Sequence, residues 1–395
     1  TSANPNGPFH VGRARNAILG DTMVRLFRLN GDDVRAEYYV DDMGKQVAIL
    51  AWALANLSSA EVDEVLGDKN DINPKWEEKA DHSRVRWYQA AQALREQRPE
   101  IDQEIGKMVH DSEEGDDSVL SAFENAYQPV LDGMLETLSR MGIQFDSFTR
   151  ESVFVIDGSV ASVMEDLESL DIHGTADNGA HFLDLGARGL KGKTEFFFRR
   201  GDGSSLYATR DIAYHLWKWQ QGYDLLNVLG EDHRLQSKQV GMALEELGEK
   251  SPNVIFYAFI KLPEGKMSTR KGNVVFMDDL LDEARGHAAA VVRELRPDLD
   301  DDSIQEIAEA VGVSAVRFNI IRVSPEKGFT FTWDEALSFE GNSAPFIMYS
   351  HTRACSIARR VGRNSTDCKI PSSINESTIE LLRTIELGED ALNRS

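Results

Sequence analysis

Two short runs of residues could handle phosphate. The first, His10, Val11, Gly12 and Arg13, follows a loop rich in Asn, Pro and Gly and opens a segment carrying Ile18, Leu19, Val24, Leu26 and Phe27. That apolar spacing predicts a helix closing near Asn30 and Gly31. A helix N-terminus offers unpaired backbone N–H groups and a partial positive charge, so an imidazole and a guanidinium add donors where anions are already attracted. Gly12 would let a flat base approach the backbone. Alone, the triplet is common, and on it alone an ordinary loop-to-helix junction is the stronger reading. The second run is Lys266, Met267, Ser268, Thr269, Arg270, Lys271, Gly272 and Asn273. Three cations on a Gly-containing loop are unusual in a chain with 28 Arg and only 15 Lys. Flexible ammonium and guanidinium groups suit a polyanion such as pyrophosphate, neutralising charge as it develops on leaving oxygens.

These runs need a scaffold that brings them together. Residues 34–40 read as a strand after the first helix, the front half of a nucleotide-binding α/β unit. Residues 46–140 are helical and charged, with a loop at 112–117. Strand signals and Gly-rich turns at 145–156 and 180–200 suggest a small mixed subdomain. The α/β pattern then resumes, with a helix at 209–221, a buried strand at 224–229, a helix to 247 and a strand at 254–262. Helices follow at 278–295 and 303–321, and a helix at 344–360 starts a separate helical unit. The expected fold class is therefore α/β, a Rossmann-like (HUP-type) parallel-sheet catalytic domain with a mostly helical insertion, followed by the start of an all-α domain. Its expected divisions are 1–48, 49–200 (insertion and connective region), 201–340 and 341–395.

Composition sets outer limits. The 395 residues, 41% hydrophobic, exclude a disordered chain. Against 43 Lys plus Arg stand 66 Asp plus Glu, a net charge of −23, which as a whole-surface average argues against a broad nucleic-acid-binding face. The cations nevertheless cluster at Arg13, at 266–271 and at 353–360. Many carboxylates and few Lys fit a cytoplasm of high salt, where screening reduces self-repulsion, so a halophilic source is expected. Cys355 and Cys368 make no CxxC pair, so neither zinc nor a disulfide framework is indicated. Nothing approaches a membrane-spanning apolar run, and a cytoplasmic location is expected. A start without Met and an end within a helical pattern lead us to expect a catalytic-region fragment of a longer protein.

The stretches TSANPNGPFHVGRARNAILGD, LYATRDIAYH, KMSTRKGNVV and FEGNSAPFIMYSHTRACSIARR, in that order, resemble successive signatures of arginyl-tRNA synthetases, class I enzymes, here of an archaeal-like kind. The resemblance implies activation of L-arginine by ATP, with Mg²⁺ and no zinc, and transfer to the terminal adenosine of tRNA(Arg). It also implies roles for residues. His10 would contact ATP phosphate, Gly12 would lie beneath adenine, and Lys266 with Met267 and Ser268 would grip the phosphates. Arg13 stands where a second His is usual, and Thr269 where a second Lys is usual, with Arg270 or Lys271 able to supply the charge. Gly7 stands where some members carry a compensating lysine.

Tyr207 and Asp211 match positions that bind the arginine side chain. Their spacing of four puts phenol and carboxylate on one helix face if the helix begins that early, and a carboxylate suits a guanidinium fork. On the residues alone, an ion pair of Asp211 with Arg210 or the helix dipole is the stronger reading. Ser2 and Asn4 match residues at the amino-acid end, and His233 and Gln236 match pocket positions, His233 being equally readable as a helix cap. Asp41, Asp42, Gly44 and Gln46 match a cleft segment or form a surface turn. Tyr214, His215, Trp217 and Trp219 read as core. Arg353, Arg359 and Arg360 would meet tRNA where the family begins its helical anticodon-binding domain, or form a solvated face. A monomer with no membrane partner is expected. The alternatives are another class I aminoacyl-tRNA synthetase, or a synthetase-like nucleotidyltransferase or binding protein of impaired activity.

Overall fold

The computed structural model describes residues 3–67, 73–261, 275–338, 341–361 and 375–392. They fall into two compact units, one of Thr1–Ala17, Glu37–Leu280 and Ser324–Thr330, the other of Ile18–Ala36, Leu281–Val323 and Phe331–Ser395.

The first unit carries the α/β pattern. Helix α1 (Val11–Asn30) starts at the His10 junction. Two buried polar side chains lock its first turns. Asn16 donates to the Val228 carbonyl at 2.6 Å, and the Arg15 guanidinium spreads over the carbonyls of Ala258, Lys327 and Ser324. Strand β1 (Glu37–Val40) follows, shorter at its start than the sequence pattern predicts. A helical layer comes next, built from α2 (Lys45–Asn56), α3 (Ser59–Leu66), α4 (Ala80–Arg95), α5 (Pro99–Glu113) and α6 (Asp117–Arg140). Seven consecutive residues of α2, Val47 to Ala53, are buried, which suits a helix enclosed by α4, α5 and α6. Ser58 and Glu61 form a capping box on α3, and Asp116 caps α6.

Strand β2 (Ser147–Arg150) pairs in parallel with β1, Tyr38 opposite Phe148. The helical layer is thus the crossover between two parallel strands. The strand stops after four residues. Helix α7 (Glu151–Ile156) replaces the expected extension because the Asp42 carboxylate accepts from the Ser152 backbone N–H at 2.9 Å and its hydroxyl at 2.6 Å. A carboxylate on first-turn donors favours the helix.

Helix α8 (Ser159–Glu168) leads into an antiparallel sheet of β3 (His173–Thr175), β4 (His181–Asp184) and β5 (Glu195–Arg199). After α9 (Tyr207–Gln220), strand β6 (Leu226–Gly230), helix α10 (Arg234–Glu246) and strand β7 (Asn253–Tyr257) make a βαβ unit with Val228 opposite Ile255. Strand β8 (Ile260–Lys261) pairs in parallel with β9 (Phe329–Thr330). Among the described residues the parallel strands are hydrogen-bonded in pairs rather than as one continuous sheet. One core joins these parts, with Tyr39, Phe154, Leu183, Phe198, Ile212 and Leu244 buried together and Trp217 against them. Tyr39 and Tyr214 stack at 4.3 Å between ring centres.

The second unit is helical. It takes in most of α11 (Met277–Leu295), then α12 (Asp301–Ile321), α13 (Trp333–Ala336), α14 (Ala344–Val361) and α15 (Glu376–Leu392). Ala288, Ala289, Ile304 and Ala308 form one buried apolar cluster within it. Helices α11 and α12 pass so closely that a Cβ on Gly312 would lie 2.9 Å from the Ala284 backbone. No described helix is long and apolar enough to cross a membrane.

Candidate active site

A cleft of about 1110 Å³ opens in the first unit. Asn4, His10, Gly12 and Arg13 line it together with Tyr207 and Asp211, with Gly230 at the end of β6, and with His233 and Gln236 after it. Residues far apart in sequence thus meet in one space, at the carboxyl end of a parallel strand where open α/β folds bind ligands.

The His10 junction is fixed by backbone pairing. The Val11 N–H donates to the Val275 carbonyl at 3.1 Å, and the Met277 N–H to the Phe9 carbonyl at 2.7 Å, with His10 bridged antiparallel to Phe276. The Arg13 backbone N–H donates to His10 Nδ1 at 3.3 Å, which assigns the imidazole proton to Nε2. Burial, with help from the Arg13 charge, pushes His10 down to about 3. The ring is therefore a neutral donor at ordinary pH. Arg13 donates to the Asn4 carbonyl at 3.2 Å and so braces the loop before it. Gln46 Oε1 accepts from the side-chain amides of Asn4 at 2.8 Å and Asn6 at 2.7 Å. Gln46 and Asp42 therefore stand behind the site as scaffolding.

Helix α9 begins at Tyr207 because β5 holds its start. The Leu206 N–H donates to the Phe198 carbonyl at 3.1 Å, and the Thr209 hydroxyl reaches the same oxygen. The early start brings Tyr207, Asp211, Tyr214, His215 and Lys218 onto the cleft, the face set by helical periodicity. Arg210 points elsewhere, its Nη1 lying 3.4 Å from Glu151 Oε2, so the Asp211–Arg210 pair favoured on residues alone is not made. His215 holds Asp211 instead. Its Nδ1 lies 2.7 Å from the Asp211 backbone oxygen and 3.3 Å from Oδ1, while Nε2 meets Asn227 Nδ2 at 2.8 Å.

Burial raises the Asp211 carboxyl, but His215, Lys218 and His233 outweigh it and leave the group below the usual carboxylate range. The cleft therefore carries a fixed anion beside a phenol, the donor set for a planar cation. Burial pushes Lys218 down to about 8 against the pull of Asp211 and Glu37. Its Nζ sits 4.1 Å from the centre of the Tyr214 ring. Neither Lys218 nor Asn227 was picked out by motif, and the core reading of His215 missed its hold on Asp211. The helical repeat running on from Asp211 was the available signal for Lys218 and His215.

Behind α9 lies a buried ionic group. Glu151 is 1% exposed, accepts from the Tyr39 hydroxyl at 3.2 Å and faces Arg210. Burial raises both Glu151 and Asp41, with Arg210 opposing the rise.

The remaining candidates are placed as follows. Ser2, Lys266, Met267, Ser268, Arg270 and Lys271 lie outside the described residues. Arg353, Arg359 and Arg360 are exposed on α14 in the second unit, with Arg353 over the Tyr349 ring and Arg359 donating to Ser356 Oγ at 3.3 Å. Asp81, His82 and Asp278 bring possible metal-ligand atoms within 4.8 Å of one another. The Lys79 ammonium, 3.1 Å from Asp81 and 2.7 Å from Asp278, already supplies a cation there.

Comparison with known proteins bears on the family and the fold. The chain is 44% identical over 380 residues to an arginine–tRNA ligase of Methanocella arvoryzae, covering 96% of this chain and 65% of that one. It is 43% identical over 360 residues to one of Methanothermobacter thermautotrophicus, covering 91% and 61%. It thus spans just under two thirds of the length of these relatives. The arginyl-tRNA synthetase structure of Thermus thermophilus matches with a TM-score of 0.77 and 25% identity, over 100% of this chain and 70% of that one. A methionyl-tRNA synthetase of Mycobacterium tuberculosis shares the fold, with a TM-score of 0.58 and 15% identity. Residues 1–333 match the family model described as tRNA synthetases class I (R), catalytic domain, and the chain belongs to that family, the arginyl class I synthetases.

Proposed function

We propose that this chain carries the arginine-activating site of an arginine–tRNA ligase. The observation that carries the reading is that the His10–Arg13 helix start and the Asp211 carboxylate line one cleft, which suits a phosphate and a guanidinium taken up in the same space. An arginine carboxylate oxygen attacks the α-phosphorus of ATP, the bond to the bridging oxygen breaks, and pyrophosphate leaves. The 2′-hydroxyl of the terminal tRNA(Arg) adenosine then attacks the arginyl carbonyl, and AMP leaves. The work is alignment and charge stabilisation. In this scheme the His10 Nε2–H donates to a phosphate oxygen and Gly12 underlies adenine. Arg13, Lys266, Met267, Ser268, Arg270 and Lys271 address the phosphates, with Mg²⁺ accompanying ATP. Tyr207 and Asp211 take the guanidinium, Ser2 and Asn4 face the amino-acid end, and His233 and Gln236 complete the pocket. Arg353, Arg359 and Arg360 meet tRNA at the start of a helical anticodon-binding domain from residue 341, and the enzyme works in the cytoplasm as a monomer. Charging of tRNA(Arg) with labelled arginine by the protein expressed from its complete reading frame tests the reading, and charging by another amino acid instead would overturn it.

Two further results are expected at this site. His10→Ala lowers the kcat of arginine-dependent ATP–pyrophosphate exchange about 10²-fold, the usual cost of one preorganised donor. Because His10 is pushed down to about 3, its titration adds no acid limb to the neutral part of the pH profile. Lys218 does contribute a limb. Its ammonium repels the incoming guanidinium, and the charge is lost as pH rises through about 8, so KM for arginine falls over that range. Lys218→Met should flatten this part of the profile.

A further inference from the structure

A buried polar hub stands behind the His10 junction and has no part in the chemistry above. Asp278, the second residue of α11, is 2% exposed. Its Oδ2 lies 2.7 Å from Lys79 Nζ and 2.9 Å from His82 Nε2, and the Thr137 hydroxyl reaches both carboxylate oxygens at 3.0 and 3.1 Å. Lys79 also donates to Asp81 at 3.1 Å and to Thr137 at 2.7 Å. Asp279 extends the grip, accepting from Asn73 at 2.9 Å and Trp76 Nε1 at 2.8 Å. Close approach is built in, since a Cβ on Gly133 of α6 would lie 2.5 Å from Asp81 Oδ1. A hub that takes an ammonium and carboxylates out of water incurs a desolvation penalty that apolar packing would avoid. What it adds is directional geometry.

That geometry reaches His10 through three residues. Val275, Phe276 and Met277 immediately precede Asp278, and their backbone is bonded to Phe9 and Val11 on either side of His10. The Phe276 ring meets the His82 ring edge-on at 5.0 Å and 71°. One edge of this short strap is thus tied to α4 and α6, and the other holds the junction.

We propose that Asp278 is a positioning residue for His10, setting the imidazole through the strap from Val275 to Met277. The kinetic consequence rests on the proposed function. A displacement of about 1 Å can cost about 10²-fold in rate when alignment is the main catalytic device.

The test uses Asp278→Asn and the milder Thr137→Val in the protein expressed from its complete reading frame. Amide hydrogen exchange needs no activity. Protection at Val11 and Met277 should fall about tenfold or more, while amides of the β6–β7 pair keep theirs. In pyrophosphate exchange, kcat should fall about tenfold or more with KM for arginine changed less than about twofold, and Thr137→Ser should restore what Thr137→Val loses. Unchanged protection at Val11 and Met277 would overturn the proposal, as would a uniform loss across the β6–β7 amides. Local loss of protection with unaltered exchange kinetics would support the coupling and instead contradict the role of His10 in the proposed function.

Discussion

Replacing Asp211 by alanine is expected to lower kcat/KM for arginine by about 10²–10⁴-fold and to erase the preference for arginine over lysine. Removing one partner of a desolvated, hydrogen-bonded charge pair costs about 3–5 kcal/mol, because the remaining charge is buried without compensation. The carboxylate is already ionised, held low by His215, Lys218 and His233, so binding needs no proton release. A carboxylate accepts two parallel bonds from a guanidinium but cannot pair in that way with an ammonium, which is the source of the discrimination. The fold should be spared, since the side chain borders the cleft and its described hydrogen-bonding partner is His215 on the same helix. Steady-state kinetics with arginine and lysine, alongside thermal melting, checks this. Retained selectivity would count against Asp211 as the guanidinium acceptor.

Arg210→Met should act on stability, although it changes the adjacent residue. The buried guanidinium faces the buried Glu151, with Asp41 half-buried beside them, and its loss leaves carboxylates that must take up protons or remain unpaired. Breaking such a group costs about 3–5 kcal/mol. The cost has a defined pH dependence. Burial already raises both carboxyls, and without Arg210 they rise further, so the folded variant holds protons that the unfolded chain releases above its ordinary carboxylate range. Linkage then makes the variant lose stability as pH rises above the ordinary carboxylate range, and its deficit against the parent shrinks as pH falls. Denaturant melts of both proteins at two pH values measure the difference, and a deficit independent of pH would show that the acids are not what Arg210 compensates.

Legibility in the sequence followed the range of the interactions. The helix start at His10 and the βαβ unit of β6, α10 and β7 arise from local periodicity and spacing, whereas periodicity starts α9 at residue 209 and the hold of β5 on Leu206 and Thr209 is what brings Tyr207 onto the helix. Residues 151–156 read as a strand because their apolar content is high, and they form a helix because Asp42, remote in sequence, binds the Ser152 N–H. The pairing of β1 with β2 likewise has no local signal, since a helical layer intervenes. Arg210 and Asp211 are neighbours in sequence but point about 100° apart around a helix, so their partners depend on what lies opposite each. Glu151 and the cleft supply those partners. The Asp278 hub draws on positions 79, 82, 137 and 278 and has no spacing to recognise. The net charge of −23 is a surface average, and it decides little about a cleft where the neutral His10 imidazole, the braced Arg13 guanidinium, the Lys218 ammonium and the Asp211 carboxylate each act locally.

The most direct measurement is ATP–pyrophosphate exchange by the protein expressed from its complete reading frame, assayed with each amino acid in turn in the presence of tRNA(Arg). Exchange driven by arginine, at least about 10²-fold above lysine and lost in Asp211→Ala, is the expected result. Exchange driven by a different amino acid, or by arginine with Asp211→Ala unimpaired, would contradict the assignment of this cleft to arginine activation.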